Sequence, residues 1–129
     1  MDGCDAVVNL AHSDDQTAEK QTAHLVDACV RAGVRRFVHI SSMAVYGPSP
    51  NLPVIIEDTA PIKRWGEAYS DAKAAAEAVV ASAAKRGSLA TVILRPTIVY
   101  GPYSFFVTPI VQDARQGRIS LIDGGRGIC

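Results

Sequence analysis

The chain of 129 residues lacks an excess of charge of either sign, with 13 Lys and Arg against 13 Asp and Glu residues. A neutral protein has no long-range field that draws it to nucleic acid or to an anionic membrane surface, so we expect neither partner. The apolar runs are too short to span a bilayer. The polar start from Met1 to Asp5 does not resemble a secretory signal. These absences exclude the nucleic-acid-binding and membrane classes.

Cysteine is also scarce, because only Cys4, Cys29 and Cys129 occur and they are widely separated. An odd, scattered set suits reduced thiols in the cytoplasm better than a disulfide framework or a zinc site. No group of His, Cys, Asp and Glu residues has the spacing of metal ligands, so we expect no metal.

Short apolar runs alternate with helical patterns along the whole chain. Strands are predicted at 6–11, 36–41, 90–95 and 119–122. Helices are predicted from a cap at Asp14 or Asp15 to a stop at Gly33, at 67–86, and from Thr108 and Pro109 to Gly117. The nearly continuous apolar run at 6–11 is typical of a strand covered on both faces. The order predicts one α/β domain over 1–129, a parallel sheet of about four strands with flanking helices.

Polar groups are predicted to meet at one edge of this sheet. Tyr69 and Lys73 are four residues apart on a helix and share a face, so the ammonium can lie close to the phenol and favour the phenolate. The hydroxyl of Ser42, at the end of a neighbouring strand, can hold a carbonyl or hydroxyl against that phenol. Ligands of parallel sheets lie beyond the carboxyl ends of the strands, which predicts a single crevice.

Each of these segments has a purely structural interpretation when taken alone. Tyr69 and Lys73 could be an exposed tyrosine over a lysine stem, and two serines that end a strand often bond free backbone groups. An Arg-Pro pair after a strand is commonly a turn. The three segments in one order, separated by the right types of element, favour an enzyme.

Three segments carry a family resemblance: Ser41-Ser42-Met43-Ala44-Val45-Tyr46-Gly47, Tyr69-Ser70-Asp71-Ala72-Lys73 and Arg95-Pro96-Thr97-Ile98-Val99-Tyr100-Gly101-Pro102. In this order they resemble the extended short-chain dehydrogenase/reductase family, also called the NAD-dependent epimerase/dehydratase family. The similarity runs from about Asp5 to Ile122. It implies a Rossmann-like fold and NAD or NADP as cofactor.

The resemblance also implies roles for individual residues. Tyr69 would exchange a proton with a substrate hydroxyl while hydride passes to or from nicotinamide, and Ser42 would orient the substrate oxygen. Lys73 would bind the nicotinamide ribose and favour the tyrosinate, so that Tyr69 and Lys73 both lie against the cofactor.

Three further positions match cofactor contacts in the family, and they complete the predicted binding site. They are Ala11, Ser41 and Pro96.

The chain departs from the family in lacking the strand, glycine-rich turn and helix that bind pyrophosphate. Its closest glycine cluster, at 124–127, follows the last predicted strand and opens no helix. We therefore interpret the chain as an internal fragment, a truncated domain without the adenosine half of the site. The strand at 6–11 then loses one partner, and an unpaired apolar edge favours self-association, with a homodimer as its simplest form.

The functional expectation is an NAD(P)-dependent epimerase, dehydratase or reductase acting on a hydroxyl or carbonyl carbon of a small molecule. A nucleotide sugar is one candidate substrate, although Ile98 stands where many sugar-nucleotide epimerases have an asparagine. Two alternatives stay open: a non-catalytic nucleotide sensor, and an inactive fragment of such an enzyme.

Overall fold

The computed structural model describes residues 3–11, 17–47, 54–59, 61, 65–118 and 124. The chain divides into two compact units, Met1–Thr97 and Ile98–Cys129. The elements of the first unit are the strands β1 (Ala6–Asn9), β2 (Arg36–Ile40) and β3 (Ala90–Leu94), the helices α1 (Ala18–Arg31) and α2 (Ala68–Lys85), and a 3₁₀ turn at Met43–Tyr46. The second unit contains helix α3 (Val107–Arg115).

The three strands form a parallel sheet in the order β1-β2-β3, and Val8, Val38 and Val92 lie side by side in register. The predicted α/β class with a parallel sheet is therefore confirmed. The predicted fourth strand at 119–122 lies outside the described residues.

One face of the sheet carries the core of the first unit. Phe37 of β2 is fully buried against Val26 of α1 and Val80 of α2. Burying a side chain of this size contributes about 2 kcal/mol to folding. One face of the sheet therefore packs against α1 and α2.

The expectation that β1 is covered on both faces is wrong, because Val8 is 54% exposed and Val92, in register on β3, is 52% exposed. The strands follow one another in a single direction across the sheet. Right-handed crossovers in one direction place both connecting helices on the same face. The opposite face keeps its apolar residues in contact with solvent.

Helix α1 ends as predicted at Gly33, which adopts φ +71°. The Gly33 amide donates to the Val30 carbonyl at 3.2 Å, and the Val34 amide donates to the Cys29 carbonyl at 3.0 Å. These two bonds form a Schellman motif, and a residue without Cβ meets the least strain at the left-handed position. The start of α1 differs from the prediction, because its N-cap is Thr17 and not Asp14 or Asp15, which lie outside the described residues.

Helix α3 begins two residues earlier than its sequence signal indicated. Its N-cap is Phe106, so Thr108 and Pro109 lie within its first turn and are not the cap and first position. Proline is tolerated there because the first amides of a helix have no partner inside the helix. No helix in the described ranges is long and apolar enough to cross a membrane.

We predict that the chain self-associates at concentrations of tens of micromolar, because β1 is an edge strand of the sheet and Val8 and Val92 add exposed apolar surface. Sedimentation velocity should detect species larger than the monomer. Val8→Lys should shift the distribution toward monomer, whereas Val30→Lys, at an exposed position of α1, should not. A single monomeric species of the unmodified chain over this range would contradict the prediction.

Candidate active site at the carboxyl ends of the strands

The segment 41–43 follows β2 and runs beside residues 94–96, at the end of β3. The Ser41 amide donates to the carbonyl of Leu94 at 2.7 Å, and the Met43 amide donates to that of Pro96 at 3.0 Å. Ser42 lies between these two bonds. Its Oγ accepts from the Ala44 amide at 3.2 Å and caps the 3₁₀ turn, so the residue sits at a defined point just past the sheet.

Helix α2 starts one residue before Tyr69, and its N-terminus is capped by Glu67. The Glu67 carboxylate accepts from the amides of Tyr69 and Ser70 at 3.1 and 2.7 Å, and from the Ser70 hydroxyl at 2.6 Å. These bonds lower the pKa of Glu67. The carboxylate also interacts favourably with the positive end of the helix. Sequence reasoning placed Glu67 inside the helix and missed its role as the N-cap. The sequence feature that could have indicated this role is Ser70, three residues later, whose amide and hydroxyl both donate to Glu67.

Tyr69 and Lys73 are brought together on the first two turns of α2. The Lys73 ammonium lies 5.9 Å from the centre of the Tyr69 ring. The same Nζ donates to the carbonyl oxygen of Ile40 at 3.0 Å, which joins α2 to the last residue of β2. Burial lowers the pKa of Lys73. The pair therefore lies at the carboxyl end of β2. Ile40, the residue that it contacts there, is two positions before Ser42.

The three remaining predicted positions lie at the same strand ends. Ala11 follows β1, is exposed, and donates its amide to Asn9 Oδ1 at 3.1 Å. Ser41 is buried, and its Oγ has no hydrogen-bond partner among the residues that the structure describes. Pro96 contributes its carbonyl to the bond with Met43. Contact of these residues with a cofactor stays a prediction, as does direct approach of Ser42 to Tyr69.

A small cavity of about 50 Å³ lies behind the Tyr69–Lys73 pair, and Asn9 and His39 also line it. Because Asn9 Oδ1 accepts from the Ala11 amide, its Nδ2 faces His39 Nδ1 at 3.3 Å. His39 Nδ1 is then the acceptor, and Nε2 carries the proton. Nε2 has no partner within the described part of the chain, although the residue is only 2% exposed. The cavity is large enough for water.

Arg95 forms a second polar cluster that sequence reasoning missed, because the residue was interpreted as the end of a strand and the first residue of the third family segment, with no role for its side chain. Its Nε and Nη2 donate to the Glu77 carboxylate at 2.9 and 2.8 Å, with side chains 18% and 4% exposed. Its Nη1 donates to the Tyr46 hydroxyl, and its guanidinium carbon lies 5.0 Å from the centre of the Tyr46 ring. The hydrogen bonds that Arg95 donates to the Glu77 carboxylate raise the pKa of Arg95 above its usual range. Among the residues that the structure describes, no group of His, Cys, Asp and Glu could hold a metal ion.

Comparison with known families decides the affiliation of the chain. The model of the 3-beta hydroxysteroid dehydrogenase/isomerase family matches residues 4–127. The chain belongs to this family. The expected relationship to the extended short-chain dehydrogenases/reductases is confirmed, since solved structures similar to this chain at 29% identity include an epimerase and a short-chain dehydrogenase/reductase superfamily protein.

Curated relatives span two kinds of enzyme. An Arabidopsis thaliana 3beta-hydroxysteroid-dehydrogenase/decarboxylase, isoform 1, is 28% identical over 95% of this chain and 30% of its own length. A Mus musculus dTDP-D-glucose 4,6-dehydratase is 38% identical over 81% of this chain and 27% of its own length. The chain thus spans less than a third of either protein.

A solved structure with the same arrangement is that of MoeE5 in complex with UDP-glucose and NAD. It is 30% identical to this chain, with a TM-score of 0.71 over 90% of this chain and 43% of the MoeE5 chain. A short-chain dehydrogenase/reductase from Agrobacterium tumefaciens with bound NAD is 29% identical, with a TM-score of 0.66 over 89% of this chain and 42% of its own. These likenesses confirm the Rossmann-like class of the fold.

We predict that the free energy of unfolding falls as pH drops below about 7, in part through His39. Burial and the nearby Lys73 lower the pKa of His39 below 6.5, outweighing the opposite effect of Glu77. The unfolded chain then binds a proton at a higher pH than the folded chain, so stability is lost as pH falls through 6.5.

Urea unfolding at pH 7.5, 6.5 and 5.5 measures this dependence. His39→Gln should reduce the change in stability with pH, whereas His24→Gln, at an exposed position of α1, should leave it unchanged. An unaltered pH dependence in His39→Gln would show that another group is responsible.

Proposed function

We propose that this chain contributes the catalytic half of an NAD(P)-dependent oxidoreductase that acts on a hydroxyl or carbonyl carbon of a small molecule. The observation that carries the proposal is the Tyr69–Lys73 pair, held against the end of β2 by the bond from Lys73 Nζ to the Ile40 carbonyl, two residues before Ser42. A phenol, an ammonium and a hydroxyl at one sheet edge are the groups needed for proton exchange with an alcohol.

The chemistry of the side chains fits one end of a nicotinamide cofactor. Lys73 uses one donor on the Ile40 carbonyl, and an ammonium has three donors, so it can also bond ribose hydroxyls. The buried Ser41 hydroxyl lacks a partner among the described residues and offers a further polar contact. Ala11 and Pro96 would contribute backbone surface beside them. When bound, the nicotinamide would accept or donate the hydride.

The residues of the chain would divide the rest of the reaction. Ser42 would hold the substrate oxygen through its hydroxyl, and Tyr69 would donate a proton to that oxygen or take one from it. Lys73, whose ammonium lies 5.9 Å from the centre of the tyrosine ring, would attract the negative charge that develops on the phenol oxygen during proton exchange. The half-buried setting of Lys73 strengthens this attraction, because a lower local dielectric weakens it less than bulk water does.

Two substrate classes follow from the relatives. A nucleotide sugar is supported by MoeE5, whose structure is in complex with UDP-glucose and NAD, and by the mouse dTDP-D-glucose 4,6-dehydratase. A 3β-hydroxysteroid is the second candidate, favoured by the family model and the Arabidopsis relative. Ile98 is apolar where many sugar-nucleotide epimerases have an asparagine, which weakens the first candidate.

We further propose a cytoplasmic location and a homodimer. The odd, scattered cysteine set supports the location, and the edge position of β1 supports association. The sensor and inactive-fragment alternatives are distinguished from the enzyme by the first of the two experiments that follow.

We predict that the chain binds NADH with a dissociation constant below 1 mM, measured by NADH fluorescence. Tyr69→Phe should keep this affinity within about threefold and abolish turnover, because it removes the proton donor and retains the ring. Tyr103→Phe, at a fully exposed position of the second unit, is the matched control. Absence of NADH binding would favour the inert fragment, and binding without turnover would favour the sensor. Normal turnover of Tyr69→Phe would overturn the catalytic assignment.

We predict that a nucleotide sugar protects the chain more than a steroid does, because both MoeE5 and the mouse dTDP-D-glucose 4,6-dehydratase support this class, and we give these two relatives more weight than the apolar Ile98. Thermal unfolding with NAD and either UDP-glucose or a 3β-hydroxysteroid measures this, since a ligand that binds the folded state raises the melting temperature. A rise with the sugar nucleotide alone supports the first class. A rise with the steroid alone would assign the chain to the second.

A further inference from the structure

We propose that Arg95 is a positioning residue that fixes the Ser42 turn against the helix carrying Tyr69 and Lys73. This inference deepens the proposed function and rests on it. Arg95 is the first residue after β3 and its side chain joins elements that are distant in sequence. It is not placed to touch the reacting atoms, and its effect would pass through the residues that it holds.

Arg95 binds α2 on the same side of the helix as Tyr69 and Lys73. Tyr69, Lys73 and Glu77 follow one another at intervals of four residues and therefore share one side of α2. Arg95 Nε lies 2.9 and 3.2 Å from the two Glu77 carboxylate oxygens, and Nη2 lies 2.8 Å from Oε2. This two-pronged pair fixes the distance from the end of β3 to α2 and also its orientation.

On the serine side, Arg95 holds the turn that Ser42 caps. Its Nη1 donates to the hydroxyl of Tyr46, the last residue of the 3₁₀ turn, and Tyr46 is buried. The main chain on either side of Arg95 accepts the amides of Ser41 and Met43. Ser42 is thus bounded by backbone bonds to the β3 extension and by a side-chain bond to the end of its own turn.

Arg95 also holds the segment 54–59. Its Nη1 lies 3.3 Å from the Glu57 carbonyl and 3.2 Å from the Thr59 carbonyl, and the Tyr46 hydroxyl lies 3.5 Å from the Ile56 carbonyl. A single planar group therefore connects the helix, the turn and this segment. Lysine carries its charge on one atom and cannot span the same acceptors, so it is a poor substitute here.

The burial of Glu77 indicates why this connection is rigid. A carboxylate that is 4% exposed keeps its charge only with a close cation and hydrogen bonds, and Arg95 provides both. Any movement of Arg95 away from Glu77 would leave a buried charge without compensation. The position of the guanidinium, and of the turn it holds, is consequently tied to the helix.

The test compares Arg95→Lys and Tyr46→Phe with Arg35→Lys, whose arginine makes an exposed ion pair with Asp5 and serves as the control. Hydrogen exchange of the Val45 and Gly47 amides, which close the 3₁₀ turn, reports the position of the turn without any need for activity. Tyr46→Phe removes one hydroxyl and keeps the Arg95–Glu77 pair, so it separates loss of the connection from loss of the fold.

We expect at least tenfold faster exchange at these two amides in Arg95→Lys and Tyr46→Phe, with α1 amides unchanged in Tyr46→Phe and no effect in Arg35→Lys. With turnover measurable, kcat should fall about tenfold to a hundredfold in Arg95→Lys while the KM for NAD stays within threefold, because misplaced reacting groups slow the chemical step.

Unchanged exchange at Val45 and Gly47 in Arg95→Lys and Tyr46→Phe would overturn the inference, whether or not the chain is an active enzyme. Faster exchange together with a normal kcat would also overturn it, since the turn would then be held without consequence for the reaction. If the unmodified chain shows no turnover with any substrate, the proposed function fails on that result, and the exchange data still decide whether Arg95 holds the turn.

Discussion

The parallel pairing of β2 with both of its neighbours is the constraint on which the rest of the structure depends. Parallel strands end at the same edge, so Ala11, Ser41 and Pro96 come from three separate parts of the sequence and arrive beside one another. Right-handed crossovers then place α1 and α2 on one face, which brings the start of α2 to this edge. The Lys73 bond to the Ile40 carbonyl is possible only in this arrangement.

Burial of polar groups near the carboxyl ends of the strands costs hydration free energy, and three kinds of interaction offset this loss. Glu77 and Arg95 retain their charges by pairing with each other. His39 accepts a bond from Asn9, and burial favours its neutral form. Lys73 remains half-buried and bonds a backbone carbonyl. These are structural solutions to desolvation, and they also leave the Tyr69 phenol and the Ser42 hydroxyl in fixed surroundings.

Local patterns predicted those features that depend on neighbours in sequence. The Gly33 stop was correct because a left-handed residue after a helix favours glycine in any context. The Tyr69–Lys73 proximity follows from helical spacing alone. The caps of α1 and α3 were predicted wrongly, because the position at which a helix begins depends on where the chain must turn and not only on which residue types can cap it. Glu67 was missed for the same reason.

Hydrophobic periodicity and helical spacing are properties of neighbouring residues, so the α/β class, the parallel sheet and the residues that resemble a reductase site could be predicted from the sequence. Three features emerge only when the chain is folded: one face of the sheet is exposed, His39 faces a cavity behind Lys73, and Arg95 joins Glu77 to Tyr46. These depend on contacts between residues 18 to 49 positions apart in the chain. Such contacts follow from the packing of whole elements, which no short pattern encodes.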